Sequence, residues 1–184
     1  MRIARDPQVV SVSRDGEHRF SKTVVQEIAL LAGLGVEGDA HAGSTVQHRS
    51  RVAADPTQPN LRQVHLIHTE LYEELAEQGV NVAPGQLGEN ITTRGVDLLN
   101  LPCETLLQVG DRALIQVTGL RNPCRQIEDF RSGLLSLVRV HNGQGGVVRK
   151  TGIMGVVLQA GPVWAGSPID VRLPARPHRP LERV

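Results

Sequence analysis

Apolar residues along the chain fall in short runs rich in Val, Ile and Leu, broken by Gly, Pro, Asn and Asp, which is how the strands of a sandwich or barrel read. Expected strands are Val9–Ser13, Val24–Leu30, Val64–Ile67, Thr105–Val109, Ala113–Gly119 and Gly155–Gln159. The clearest is Ala113–Gly119, where Ala113, Ile115 and Val117 alternate with Leu114, Gln116 and Thr118, the period of a half-buried strand. A helix is expected after His68. Thr69 offers an N-cap, Glu70, Glu73 and Glu74 suit the positive end of the dipole, Leu71 and Leu75 form a buried stripe, and Gly79 supplies a stop. A shorter helix is expected to open at Asn122, with Pro123 in the first helical position, where its missing N–H costs nothing. The pattern predicts a mainly β fold with a few short helices in one domain over residues 1–173. Pro174–Val184 reads as an extended or disordered tail, and Ser50–Asn60, with Pro56 and Pro59, as an exposed loop; neither is expected to hold chemistry.

Composition narrows the partners. Lys and Arg number 20 against 19 for Asp and Glu, so no global charge favours nucleic acid or a membrane surface, and an anionic ligand must be met locally. The aromatic residues are Phe20, Tyr72, Phe130 and Trp164, too few for a base-stacking platform. Cys103 and Cys124 cannot make a disulfide framework or a four-cysteine metal site, and read as free thiols. The opening MRIARDPQVV lacks the apolar run of a signal peptide and no apolar stretch is long enough to span a bilayer, so a cytoplasmic protein is expected.

Three segments carry candidate chemistry. In Gly119-Leu120-Arg121-Asn122-Pro123-Cys124-Arg125, a thiol stands between two arginines at the expected helix start, and cations and helix N-termini both favour the thiolate that acts as nucleophile or metal ligand. The alternative is a small buried apolar side chain, the reading preferred for Cys103 with its acidic neighbour Glu104. Gly33 to Gly43 is a glycine-rich turn whose backbone N–H groups could face a phosphate, with Asp39 and His41 to orient or protonate it. It matches neither the Walker pattern nor the dinucleotide fingerprint. Pro84 to Gly95 runs from a glycine-rich loop into a Thr-rich strand, where Glu89 and Asn90 could hydrogen-bond a heterocycle and Thr92 and Arg94 could meet a phosphate; a plain turn and strand edge is the alternative. A zinc site from His41, His48, His65 and His68 is disfavoured, because His65 and His68 sit on a strand running into a helix and would diverge.

Taken together and in this order, the segments resemble the MOSC family, named for the C-terminal domain of molybdenum cofactor sulfurase. The matching elements are Lys22, GVEGDAHAG from Gly35 to Gly43, Arg62-Gln63-Val64 before Thr69-Glu70-Leu71, GENITTRGVD from Gly88 to Asp97, Val109-Gly110-Asp111, and VTGLRNPC from Val117 to Cys124. The likeness spans roughly residues 8–172 and looks most like the small bacterial stand-alone members. It implies a barrel-like β domain with Cys124 as the functional thiol, either a ligand to the molybdenum of a molybdopterin cofactor in a reductase of N-hydroxylated compounds, or the bearer of a persulfide in a sulfur carrier. It further implies that Lys22, Asp39, His41, Glu89, Asn90, Thr92, Arg121 and Asn122 surround the pterin and its phosphate. Eukaryotic relatives carry an arginine in the turn where this chain has Ala40-His41, and an arginine where Pro123 precedes the cysteine. No flavin, haem or iron–sulfur motif occurs in the sequence, so a small-molecule substrate and an external electron donor, or a sulfur donor protein, are the partners implied.

Overall fold

The structure, a computed structural model, describes residues 6–143 and 145–184; part of the opening stretch on which the absence of a signal peptide was read lies outside them. Thirteen strands and a few short helices are present among these residues, in keeping with a mainly β chain. The strands are β1 (Gln8–Arg14), β2 (Thr23–Val25), β3 (Glu27–Leu31), β4 (Gly35–Val36), β5 (Val64–His68), β6 (Ile91–Arg94), β7 (Leu106–Val109), β8 (Ala113–Leu120), β9 (Arg139–His141), β10 (Val147–Arg149), β11 (Ile153–Gln159), β12 (Gly161–Trp164) and β13 (Ile169–Arg172). The helices are α1 (Arg49–Ala54), α2 (Thr69–Glu77), α3 (Arg125–Phe130) and α4 (Leu134–Val138).

Eight strands form one sheet in the order β13-β7-β8-β11-β5-β6-β1-β2, and β12-β3-β4 form a second. The expected barrel is not closed. The start of β1 meets the approach to β13 at an isolated bridge between Gln8 and Pro168, flanked by hydrogen bonds from Val9 N–H to the Ser167 carbonyl, Gly166 N–H to the Val9 carbonyl and Ile169 N–H to the Pro7 carbonyl, and the proline has no N–H to extend these into a ladder. The expected strand Val24–Leu30 is broken at Gln26: β2 pairs with β1 in the large sheet, whereas β3 pairs with β12 in the small one, so the chain changes sheets at that residue.

The alternation in β8 decides which face is buried. Ala113, Ile115 and Val117 are almost inaccessible and point into a core shared with Ile28, Leu30 and Val163 of the small sheet. Fully burying each Val, Leu or Ile among them contributes about 1.5–3 kcal/mol. β5 is buried on both faces: Val64 and Leu66 enter that core, while Ile67 faces a second cluster with Leu71, Leu75, Ile127 and Leu134 from α2, α3 and α4. The opposite parity of His65 and His68 sends their side chains to opposite faces. His65 therefore stands on the helix-bearing face of the sheet.

Two helix starts differ from expectation. α2 begins at Thr69 itself, with His68 as the capping residue and no side-chain cap, while Gly79 takes a left-handed φ of 78° just past its end. α3 starts at Arg125 rather than near Asn122, because Cys124 is extended (φ −121°, ψ 178°) and serves as the N-cap. The segment 174–184 is tied to the rest of the fold, with Cys103 N–H donating to the Arg179 carbonyl at 2.8 Å and Leu120 N–H, at the end of β8, to the Glu182 carbonyl at 2.7 Å.

Candidate functional site

On the helix-bearing face a cleft of about 680 Å³ opens between Phe20–Lys22, the chain from His41 to His65, and the Arg121–Cys124 segment after β8. Its size falls within the roughly 300–1,000 Å³ typical of small-molecule sites. Its charge is one-sided: Arg19, Lys22, Arg51, Arg62 and Arg121 line it, and among the described residues no Asp or Glu does. A chain of nearly neutral net charge thus places five of its 20 Lys and Arg residues at one cavity.

Lys22 is the buried cation here with a built-in counter-charge, while the exposed Arg19 pairs with Glu17 at 2.8 Å and Asp15 at 3.6 Å. Lys22 Nζ lies 2.6 Å from Asp39 Oδ2, and both side chains are buried. Asp39 is a hub behind the cleft wall. Oδ2 also accepts from Asn90 Nδ2 at 2.9 Å, and Oδ1 accepts from the His41 backbone N–H at 2.9 Å and its ring Nδ1 at 3.2 Å. Burial alone would raise the Asp39 pKa, but these donors and the Lys22 charge outweigh it and hold the carboxyl well below the ordinary range. For Lys22 the balance runs the other way, desolvation lowering its pKa against the pull of Asp39. The lysine is held from behind by the glycine loop: Lys22 N–H donates to the Gly85 carbonyl at 2.8 Å. At Gly88 (φ 84°) a Cβ would lie 2.5 Å from the Phe20 carbonyl oxygen, so only glycine lets this loop close on Phe20–Lys22.

Among the described residues Arg62 and Arg121 have no such partner. Arg62 Nε and Arg121 Nη1 are buried and make no hydrogen bond. Desolvation, followed by repulsion from Arg51 and Arg121, pulls the Arg62 pKa down to about 10. Desolvation also lowers Arg121, whose guanidinium sits 5.7 Å above the Phe20 ring. The Arg62 backbone is set by Asn60, which accepts the Arg62 N–H at 3.0 Å and donates to the carbonyls of His41 and Gly43, each at 2.9 Å. A buried donor left without an acceptor is costly, and here two cationic ones face the same cavity. The chemistry that relieves both at once is an anion with several acceptor oxygens.

Around this pair, His65 is fully buried with Nε2 donating to the Thr151 carbonyl at 2.8 Å. Burial, then the nearby Arg121 charge, pushes its pKa down to about 3, so the ring is neutral in the folded protein. His48 is likewise lowered by burial and by Arg62. His18, His41 and His48 form a ring cluster at the mouth, with centroids 5.4 and 6.4 Å apart. Among the described residues no group of three or more His, Cys, Asp or Glu side chains is placed to hold a metal ion. Cys124 lines the same cleft, partly exposed and free, its Sγ donating to Gln126 Oε1 at 3.5 Å. Asn122 lines it too, its Oδ1 taken by Arg149 Nε at 3.1 Å.

The expected site residues therefore divide. Lys22, His41, Asn90, Arg121, Asn122 and Cys124 line the cleft, and Asp39 stands directly behind it. Glu89 and Thr92 do not line it. Both are fully buried, with Glu89 Oε1 accepting from Tyr72 Oη (2.5 Å), Gly85 N–H (2.5 Å) and Thr92 Oγ1 (3.1 Å) to brace the glycine loop. Arg125, paired in the sequence reading with Arg121, is exposed and faces Asp129 at 3.5 Å. Of the glycines in the 33–43 turn none lines the cleft; the turn serves to place Asp39 and His41. Arg62, His65 and Arg51 were not singled out as site residues, and the loop judged to be without chemistry supplies Arg51, Gln58, Pro59 and Asn60 to the wall. The available signals were a histidine inside the apolar run VHLIH and a stretch from His41 to Arg62 carrying three arginines and one acid, Asp55.

Solved structures share this fold. The YUAD protein of Bacillus subtilis aligns at 22% identity with a TM-score of 0.73 over 93% of this chain and 98% of that one. YiiM of Geobacillus stearothermophilus gives 21% and 0.63 over 90% and 74%, and YiiM of Escherichia coli gives 24% and 0.62 over 94% and 73%. No curated protein sequence matches. The model of the MOSC domain matches residues 38–170, a span holding Asp39, Arg62, His65, Arg121 and Cys124; the chain belongs to the MOSC domain family, which is associated with molybdenum cofactor.

Proposed function

We propose that the cleft binds molybdenum cofactor, with Cys124 as a ligand to the metal, and that the protein reduces N-hydroxylated small molecules with electrons from a separate reductase. The observation that carries this reading is the pair of buried, unpartnered donors, Arg62 Nε and Arg121 Nη1, in an acid-free cleft that also presents a free thiol. The donor set suits the group: two guanidinium forks for a phosphate, amide and backbone groups for a polar heterocycle, and a soft sulfur for the metal. When bound, the cofactor supplies a redox-active metal able to deliver electrons to an N–O bond.

The chain's own residues define the setting. Arg62 and Arg121 bind and orient the anionic end, and Phe20 supports Arg121 from below. Asn122, fixed by Arg149, and Asn90, fixed by Asp39, hold the polar edge of the cavity in one geometry. Asp39 cancels the Lys22 charge, and His65 stays neutral, so the excess positive field comes from Arg51, Arg62 and Arg121. Cys124 at the margin leaves room for a small substrate beside its sulfur.

A second reading has support from the partial exposure of the free thiol of Cys124: a carrier that accepts sulfur from a donor protein as a persulfide and passes it on. Molybdenum and pterin analysis of wild type beside Cys124→Ser separates them. The expected result is both components in the wild type and loss of metal in the variant at unchanged melting temperature. Wild type without molybdenum or pterin would overturn the first reading, and gain of one sulfur at Cys124 after incubation with a desulfurase, seen by mass spectrometry, would establish the second.

A further inference from the structure

The cleft's wall is not all cationic, and part of its apolar lining comes from outside residues 38–170. Val184 lines the cleft together with Leu61 and Met154. The segment that brings it there is tied to the end of β8: Leu120 N–H donates to the Glu182 carbonyl, Val184 N–H donates to the Leu120 carbonyl at 3.3 Å, and Leu181 packs on the main core. Gly119 is shaped for this contact. A Cβ there would collide with the Glu182 carbonyl oxygen and come within 2.6 Å of Val184 Cγ1.

The other two side chains are held at the same place. Thr118 Oγ1 donates to the Leu61 carbonyl at 2.6 Å, which pins Leu61 beside Gly119. Sheet register sets Met154 opposite Gly119 on one side and opposite His65 on the other. Leu61, Val184 and Met154 thus make a continuous apolar wall running towards His65, facing a cavity whose remaining lining carries the unpartnered arginines. A ligand that satisfies both halves has an anionic end and an apolar or planar body.

We propose that Val184, positioned by the 181–184 segment on Gly119, is a specificity-determining residue that contacts the body of the ligand while Arg62 and Arg121 take its anionic end. This rests on the cleft being the anion-binding site proposed above. The wall excludes water from the ligand body and adds affinity only for ligands that have one. A difference of a few apolar groups at such a wall is worth about 10–200-fold in selectivity.

The test is calorimetric titration with two probes, inorganic pyrophosphate, which has no body, and 1-naphthyl phosphate, which has an apolar one. Wild type is expected to bind both. Val184→Trp, which fills the wall, should weaken naphthyl phosphate about tenfold or more and leave pyrophosphate within about twofold. Gly119→Val, which displaces the segment from below, should also lower the preference for naphthyl phosphate over pyrophosphate; should it fail to fold, Val184→Trp decides alone. Equal changes for the two probes, or naphthyl phosphate unaffected by Val184→Trp, would overturn the assignment of Val184 while leaving the anion site intact. A wild type that binds neither probe would overturn the anion site and the assignment together.

Discussion

Lys22 and Arg121 face one cleft, Lys22 buried and Arg121 half-buried with its Nη1 out of water, yet of the two Lys22 alone has been given a counter-charge. Asp39 neutralises it at 2.6 Å inside a set of four further donor contacts, whereas Arg121 Nη1 and Arg62 Nε end on nothing. A buried charge satisfied from within the chain is architecture; its removal damages the fold. A buried charge left unsatisfied is a standing electrostatic cost that only a ligand relieves, and its removal should spare or even improve the fold.

The largest expected effect therefore comes from the neutralised side. Asp39→Ala strips the counter-ion from buried Lys22 and frees Asn90 and the His41 turn, and should lower stability by about 3–5 kcal/mol in chemical denaturation. Wild type should show the same dependence through pH. Because the folded Asp39 carboxyl titrates below its unfolded value of about 3.9, its contribution is present above roughly pH 4 and is lost as pH falls towards the folded value. Asp39→Ala should lack that acid limb.

His65 sharpens the contrast next. Its folded pKa is near 3 against an ordinary 6.5, so between those values the unfolded chain binds a proton that the folded one does not, and stability falls as pH drops through that window. The slope is at most about 1.4 kcal/mol per pH unit for one proton. His65→Gln, followed by melting temperature from pH 7 to 4, should flatten this limb.

Smaller again is Gly88→Val. A side chain at φ 84° pressed on the Phe20 carbonyl should cost about 1–3 kcal/mol and, by moving Phe20, loosen the support beneath Arg121. At the bottom of the scale stands Arg179→Ala. Its 2.9 Å pair with Glu104 lies in solvent, where two flexible charged groups gain little over water, so no measurable change in melting temperature is expected.

Legibility in the sequence follows how local each cause is. The alternation in β8 and the apolar stripe and glycine stop of α2 are local patterns, and they appear where expected. The position of Cys124 at a helix start was close, but the helix opens at Arg125 because the extended backbone of Cys124 delays it, which Asn122-Pro123 does not announce. The corner at Gln26 is invisible in the even apolar run Val24–Leu30, since only pairing with two different sheets breaks it. Glu89 and Thr92 look like ligand groups in a polar stretch, but a buried carboxylate finds its donors in Tyr72, Gly85 and Thr92 before it finds a ligand. The anion site itself was the least legible. Arg62 and Arg121 are brought together by sheet order, and nothing in either segment indicates that both will be denied an acid.

The most direct test of that denial is pyrophosphate titration and thermal melting of Arg62→Met/Arg121→Met beside wild type. Removing two charge-assisted contacts of about 1.5–3 kcal/mol each should weaken pyrophosphate by at least about 100-fold, with melting temperature unchanged or raised. A variant that binds pyrophosphate as wild type does, and melts well below it, would show that the two arginines hold the fold and not an anion.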